Sequence, residues 1–423
     1  MPLNYPQIQP QITKLGETAV VRENRLQALR NGANELLNNL SQDVAALSAK
    51  VERAVEHNQN LRCALPVSES LTASFTCPEL PENAVLLAAD GSQINPDPHS
   101  AADYYVINVG GILLDLGQSA APETFIETKL RYGDDMHTKY GSVSSVQVAM
   151  ERDLAERQYL SKWVGDYLAK YRIQIDAEET DSIKNMRESA QSVSKNSPLI
   201  ITLTDGPLEL WGVGDKSGKD AEVVQKAFKE YKETLHQLDE YGAVTAGYVD
   251  KPRADLVVRL LELAHLEENH LSEAGHNRRF RGVADSDLFA SRLGPGERSA
   301  VFGIQSKTRS EYPRNLTLHF FYLNVGRAEH PWLARVEIPA WVAENPAKLE
   351  ALHAVLIQQC QTLGAKGYPY LLHRSHEIAV VTYEEKDLLT DMINQERRRR
   401  GIPIGQISHK QSTKNLPGRT SIK

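Results

Sequence analysis

Between residues 26 and 54 the apolar side chains Leu29, Ala33, Leu36, Leu40, Val44, Leu47 and Val51 return every three or four positions, with polar residues between them. That spacing predicts one long amphipathic helix, suited either to a coiled-coil arm or to packing on its own domain. Pro66, Pro78 and Pro81 in a polar setting mark 63–82 as a linker. Short β-like runs follow at 84–89, 104–109, 112–116 and 125–132, with Gly110 and Gly111 read as a tight turn between the second and third. Helical periods cover 146–171 and 181–194, and a β-branched strand covers 199–204. Beyond it the pattern gives helices at 221–241 and 254–266, strands at 317–324 and 333–338, a helix at 346–363, a strand at 378–382 and a last helix ending in the arginines at 397–400. Gly294, Pro295 and Gly296 mark 285–313 as a long functional or connecting loop. Strands and helices interleave, so the fold class is α/β, a mixed sheet flanked by helices with a long N-terminal helical arm. The chain then divides into an arm at 1–62, the linker at 63–82, an α/β domain at 83–400 and a basic tail at 401–423.

Composition narrows the function. With 423 residues, 41% apolar and 24% charged, the chain has material for a substantial core, which excludes a disulfide-stapled miniprotein and a disordered tail. No apolar stretch approaches the roughly 20 residues of a membrane span, and the first residues carry no secretory pattern, so a cytoplasmic protein with no membrane partner is expected. Cys63, Cys77 and Cys360 form no CxxC, which argues against a structural zinc and a disulfide framework. The net charge of −7 argues against a wholly basic nucleic-acid binder. The charge is uneven, however: Arg397, Arg398, Arg399, Arg400, Lys410, Lys414, Arg419 and Lys423 follow Glu396 with no further acid. Such a run is either a source of phosphate contacts or a solvated helix end with a free terminus. A GxxxxGKS phosphate loop is absent, so no nucleotide cofactor is expected, and motor activity would come from a partner.

Candidate chemistry begins where two apolar runs end alike, AVLLAA in Asp90-Gly91-Ser92 and LIITLT in Asp205-Gly206-Pro207. If those strands are neighbours, their spacing of about 4.8 Å brings two carboxylates close enough to share a metal ion, and like charges tolerate such proximity when a cation or a proton compensates. In each, the glycine lets the backbone turn away, although Asp-Gly is also an ordinary turn dipeptide. Three antiparallel strands, a helix and a returning strand is the order of the ribonuclease H-like core, whose acidic residues lie on the first and fourth strands.

The segments AADGSQINPDPHSAADYYVINVGGILL, LIITLTDGPLELWGV, GYVDKPRADLVVRLLELA, FFYLNVG with PWLARVEIPAWVA, and GYPYLLHRSHEIAVV resemble the NurA family of DNA-repair nucleases, from Val85 to the stretch at 408–414. The resemblance implies a ribonuclease H-like core and a Mn2+-dependent nuclease acting on DNA ends, with Mg2+ as the alternative ion. It also implies exonuclease action, with single-strand endonuclease activity as a further expectation, homodimerisation and partnership with the HerA hexameric translocase in double-strand-break end resection. Carried onto this sequence, it makes Asp90 and Asp205 acidic metal ligands and asks for a glutamate on the helix before the second strand. Glu188 in KNMRESAQSV matches, with Glu178 and Glu179 nearby. It points to His376 rather than His373 in the histidine segment, which is read as extended. Asp90 would bridge or orient the metals, Glu188 and Asp205 would complete the acidic shell, and His376 would serve as ligand or acid/base. Phosphodiester cleavage needs an activated water and charge stabilisation on the leaving oxygen, and two divalent ions about 3.5–4 Å apart provide both.

Other residues carry weaker signals. His265, His270 and His276 among Glu267, Glu268 and Glu273 lack the HExxH spacing of a zinc site. Arg253, Arg335, Lys410 and Lys414 are candidates for phosphate contacts or for ion pairs. Tyr104, Tyr105, Trp211 and Tyr322 are candidates for base stacking or for the core. Two other functions stand beside the nuclease: a non-catalytic clamp or adaptor in a DNA-translocating complex, and a metal-dependent phosphatase with a closed pocket for small phosphoesters.

Overall fold

The computed structural model describes residues 3–97, 102–117, 121–139, 141–178, 198–210, 221–276, 278–364 and 367–402. Along the chain run α1 (Tyr5–Asn39), α2 (Val44–His57), β1 (Cys63–Pro66), β2 (Ser74–Phe75), β3 (Ala84–Ile94), β4 (Tyr104–Asp115), β5 (Glu123–Tyr132), β6 (His137–Thr138), β7 (Gly141–Ser142), α3 (Ser145–Glu178) and β8 (Leu199–Asp205). Then come α4 (Ala221–Glu240), β9 (Val244–Val249), α5 (Leu256–Ala264), α6 (Asp285–Phe289), β10 (Arg298–Ser299), β11 (Phe302–Gln305), β12 (Leu318–Asn324), β13 (Leu333–Pro339), α7 (Ala340–Ala343), α8 (Pro346–Thr362), α9 (Tyr370–Ala379) and α10 (Tyr383–Arg399). The chain forms two compact units, one of Met1–Leu80, Gly206–Leu208 and Gly247–Tyr368, the other of Pro81–Asp205, Glu209–Ala246 and Pro369–Lys423.

In the first unit an antiparallel sheet pairs β1 with β11, β11 with β12, β12 with β13, and β13 with residues 247–249 of β9. The expected single helix over 26–54 is two helices. The Leu40 amide still bonds Leu36 O at 3.0 Å, but the Ser41 amide turns to Asn38 O at 3.3 Å and Ser41 O is taken by the Leu71 amide at 3.0 Å, so the chain leaves the helix there. The core is aromatic: Phe289 stacks on Tyr322 at 4.9 Å and Phe302 on Phe320 at 5.6 Å. Asp285, fully buried, accepts the amides of Val257 and Val258 in the first turn of α5 at 3.0 and 2.9 Å and the Tyr322 hydroxyl at 2.8 Å. Burial pushes its carboxyl up to about 6 against those stabilising donors. The expected loop at 285–313 therefore carries a helix-capping acid and two strands.

In the second unit the strand order is β8-β3-β4-β5, with β3 parallel to β8 and antiparallel to β4, and β5 antiparallel to β4. α3 packs on β3 and β4, α4 lies on α3, and α9 also packs on β3 and β4. A parallel β3–β8 pair needs a crossover, and the chain from β5 through α3 supplies it. β4 is unbroken through Gly110 and Gly111, which overturns the expected turn there. Helix packing on the two faces requires those glycines: a Cβ on Gly110 would stand 2.5 Å from the Ala379 backbone N in α9, and one on Gly111 would run into the Trp163 ring of α3. The expected strand at 378–382 is also absent. Residues 378 and 379 end α9, and Thr382 caps α10, its hydroxyl accepting the Glu385 amide at 3.2 Å. The helix expected at 181–194 lies outside the described residues.

Candidate active site

The buried run Ala84 to Ala89 makes β3 a core strand, paired in register with β8 from Ala84↔Leu199 to Ala89↔Thr204. Asp90 and Asp205 each follow that last pair, so two carboxylates occupy matching positions just past the paired stretch of adjacent parallel strands about 4.8 Å apart. The two Asp-Gly dipeptides then differ. Gly206 has φ +83°, a left-handed turn that ends β8, as expected. Gly91 stays in strand, and β3 runs on to Ile94 against β4. Gly91 is needed for close approach, because a Cβ there would lie 2.6 Å from Glu156 Oε1 and 2.7 Å from Arg152 Cγ.

Glu156 is a buried acid beside this strand that the sequence pattern did not single out. It lies on α3, is 4% exposed, and has Arg152 Nε at 3.3 Å and Arg157 at 4.0 Å. Burial pushes its carboxyl up to about 8; the two arginines oppose that shift, and the negative charges of Asp153 and Asp90 add to it. A signal existed. Val148, Leu160, Trp163 and Val164 are all buried, and Glu156 falls on that stripe at helical spacing, where an acid needs a reason. Glu188 and Glu179 lie outside the described residues, as do the surroundings of the Glu178 side chain.

His376 stands on α9, a helix rather than the expected extended stretch, whose buried Leu371, Leu372, Ser375 and Ala379 face the sheet. Its Nδ1 donates to Asp90 Oδ2 at 2.7 Å, while Asp90 Oδ1 accepts the Gly91 amide at 2.9 Å. The Asp90 side chain is 14% exposed and the His376 side chain 63%. This bond directs Nε2 away from Asp90, free for a proton or an ion. His373 instead faces Glu377 at 3.5 Å.

The secondary candidates resolve as structure. Arg335 is buried with Glu337 Oε1 at 2.7 Å, and Tyr322 is buried on Asp285, so neither is placed to meet DNA. The Tyr104 hydroxyl bonds Thr390 at 2.6 Å and the Tyr105 hydroxyl donates to Glu151 at 2.7 Å, both rings being core. Among the described residues, no three His, Cys, Asp or Glu side chains are gathered to hold a metal, the 265–276 histidines included. The donors around Asp90 nonetheless fit a hard divalent cation in kind: carboxylate oxygens, an imidazole, and a buried carboxyl beside another acid that a cation would relieve. Trp211, Lys410 and Lys414 lie outside the described residues.

The NurA domain model matches residues 84–381, most of the chain and all the site residues above. The chain belongs to the NurA family. The NurA nuclease from Sulfolobus solfataricus is similar in structure at a TM-score of 0.51 and 10% identity, over 93% of this chain and 97% of that one, a likeness of fold. The catalytic domain of human endonuclease V aligns over 85% of this chain and 99% of that one with 12% identity, but its TM-score of 0.29 carries no argument. No curated protein matches the chain. In this NurA chain, as expected, the class is α/β with a mixed sheet flanked by helices and a helical N-terminal region. No helix among the described residues is long and apolar enough to cross a membrane.

Proposed function

We propose that this chain is a metal-dependent deoxyribonuclease of DNA double-strand-break end resection, with Asp90, Asp205, Glu156 and His376 at its centre. NurA membership supports a nuclease-type function in DNA repair. The observation that carries the reading is the bond from His376 Nδ1 to Asp90 Oδ2 at 2.7 Å, at the position on β3 matched by Asp205 on β8. Asp90, Asp205 and His376, with Glu156 or Glu188 as the helix acid, would have to draw closer together to hold the ion, Mn2+ or Mg2+. When bound, it supplies charge stabilisation at the phosphodiester. Asp90 orients the His376 ring through Nδ1, and Nε2 then takes or gives a proton. Burial favours the protonated form of Glu156, and a nearby cation would favour its carboxylate. Glu188 remains the other candidate for the helix acid.

The 63% exposure of the His376 side chain favours a polymer over a small phosphoester held in a closed pocket. DNA ends are the proposed substrate, with a HerA-type translocase and a second copy of the chain as the proposed partners and the cytoplasm as the proposed location. The test is cleavage of end-labelled single- and double-stranded DNA with Mn2+, Mg2+ or chelator, comparing wild type, Asp90→Ala, Glu156→Gln and Glu188→Gln. Metal-dependent cutting that Asp90→Ala abolishes supports the nuclease, and the two glutamine variants identify the helix acid. DNA binding without cutting, even with the translocase added, supports the adaptor instead.

A further inference from the structure

The sheet captures the last carbonyl of α9. The final C=O groups of a helix have no donors within it. Here His376 O is taken by the Val380 amide at 3.0 Å, and Ala379 O receives two side-chain donors, the Ser92 hydroxyl and Asn108 Nδ2, the latter at 2.8 Å. Ser92 lies two residues past Asp90, hence on the same face of β3, and Asn108 is its cross-strand partner on β4. The Asn108 amide is itself oriented, because its Oδ1 accepts the Thr128 hydroxyl of β5 at 2.6 Å, and the residue is 6% exposed. Gly110, the partner of Asp90 in the β3–β4 register, supplies the clearance: a Cβ there would stand 2.5 Å from Ala379 N and 2.8 Å from its Cα.

Ala379 is one helical turn beyond His376 and on the same side of α9. We propose that Ser92 and Asn108 are positioning residues for His376, a two-donor clamp on Ala379 O that sets α9 at the height where Nδ1 meets Asp90 Oδ2. The inference rests on the nuclease reading of this site. Neither side chain touches substrate. Each acts by fixing the helix that carries the imidazole, and a displacement of about 1 Å can cost up to about a hundred-fold in rate.

The experiment measures kcat and DNA affinity for Ser92→Ala, Ser92→Thr and Asn108→Asp, each in wild-type and His376→Ala backgrounds, with hydrogen exchange of the α9 amides in parallel. Asn108→Asp keeps the shape but removes the donor. Ser92→Ala and Asn108→Asp are expected to lower kcat about ten- to a hundred-fold with DNA affinity unchanged, and Ser92→Thr to retain kcat. In the His376→Ala background the same changes are expected to cost nothing further, and α9 amides are expected to exchange faster. Unchanged kcat, or losses that multiply fully with His376→Ala, would overturn the clamp. If the wild-type chain cuts no DNA, the nuclease reading fails by itself. The clamp is then judged by α9 exchange alone, and unchanged exchange in both variants overturns it.

Discussion

Gly111 and Trp163 fit together with no space for a side chain between strand and ring: a Cβ on Gly111 would collide with Cζ3 and Cη2 at the edge of the six-membered ring of Trp163, which also stacks on Phe125 at 4.9 Å. Gly111→Ala is therefore expected to destabilise the folded chain by about 1–3 kcal/mol, as overpacking does. Gly16 makes the contrast. It lies within α1 with nothing inside 4 Å of its Cβ position, so Gly16→Ala is expected to be neutral or stabilising by up to about 1 kcal/mol. Denaturant unfolding of the two variants checks both signs.

Glu156→Gln separates stability from function. The carboxyl is held up to about 8 by burial, against an ordinary value of 4.5, so the folded chain binds more protons than the unfolded chain between those limits. Its contribution to stability is full below about 4.5 and is lost as pH rises toward 8. In chelator, Glu156→Gln should flatten that decline by an amount on the order of a few kcal/mol, while DNA cleavage with Mn2+ falls at least about a hundred-fold. Thermal unfolding from pH 5 to 8 and cleavage assays provide the two readings.

His353 works in the opposite direction. It is 1% exposed, with Nε2 donating to Gly296 O at 2.7 Å and Nδ1 buried without a partner in the described residues. Burial pulls its pKa down to about 4 from 6.5, so below 6.5 the unfolded chain takes up a proton that the folded chain refuses. The stability it lends is complete above 6.5 and is lost as pH falls toward 4. His353→Gln should shrink the loss between pH 6.5 and 4.5, measured by calorimetry at each pH.

The last turn of α10 carries Arg397, Arg398 and Arg399, and Arg399 and Arg400 expose 71% and 72% of their side chains, although Glu396 pairs with both. If this turn meets the DNA backbone, replacing the four arginines by Gln should weaken binding at low salt. It should also flatten the dependence of log affinity on log salt by about 0.9 for each duplex phosphate that the variant no longer neutralises. Equal salt slopes for wild type and variant would put the phosphate-binding groups elsewhere.

The matched placement of Asp90 and Asp205 was legible because each ends an apolar run, and a carboxylate after a buried run is a local pattern. His376 was legible through the family resemblance alone, since its partner lies 286 residues away. Glu188 comes from the resemblance, which asks for a glutamate on the helix before β8, and it lies outside the described residues, whereas Glu156 is marked by its burial beside β3, a tertiary fact written only faintly in the stripe of α3. Local grammar misled at two places in the fold. Gly-Gly reads as a turn, but the reason for it is supplied by helices on both sides of β4. Val380, Val381 and Thr382 read as strand through their β-branched side chains, yet they join two helices, one closed on the sheet and the other capped by Thr382.

The adjacent glycines of β4 tie the length of that strand to the chemistry at its neighbour. Because successive residues face opposite ways, Gly110 opens one side to α9 and Gly111 the other to α3. Adding or removing one residue of β4 before them would move each clearance to the wrong side and thrust side chains at both helices. Away from these two glycines, substitutions along β4 can be absorbed one by one, but a change in its residue count cannot. In descendants of this sequence, insertions and deletions should collect outside β4.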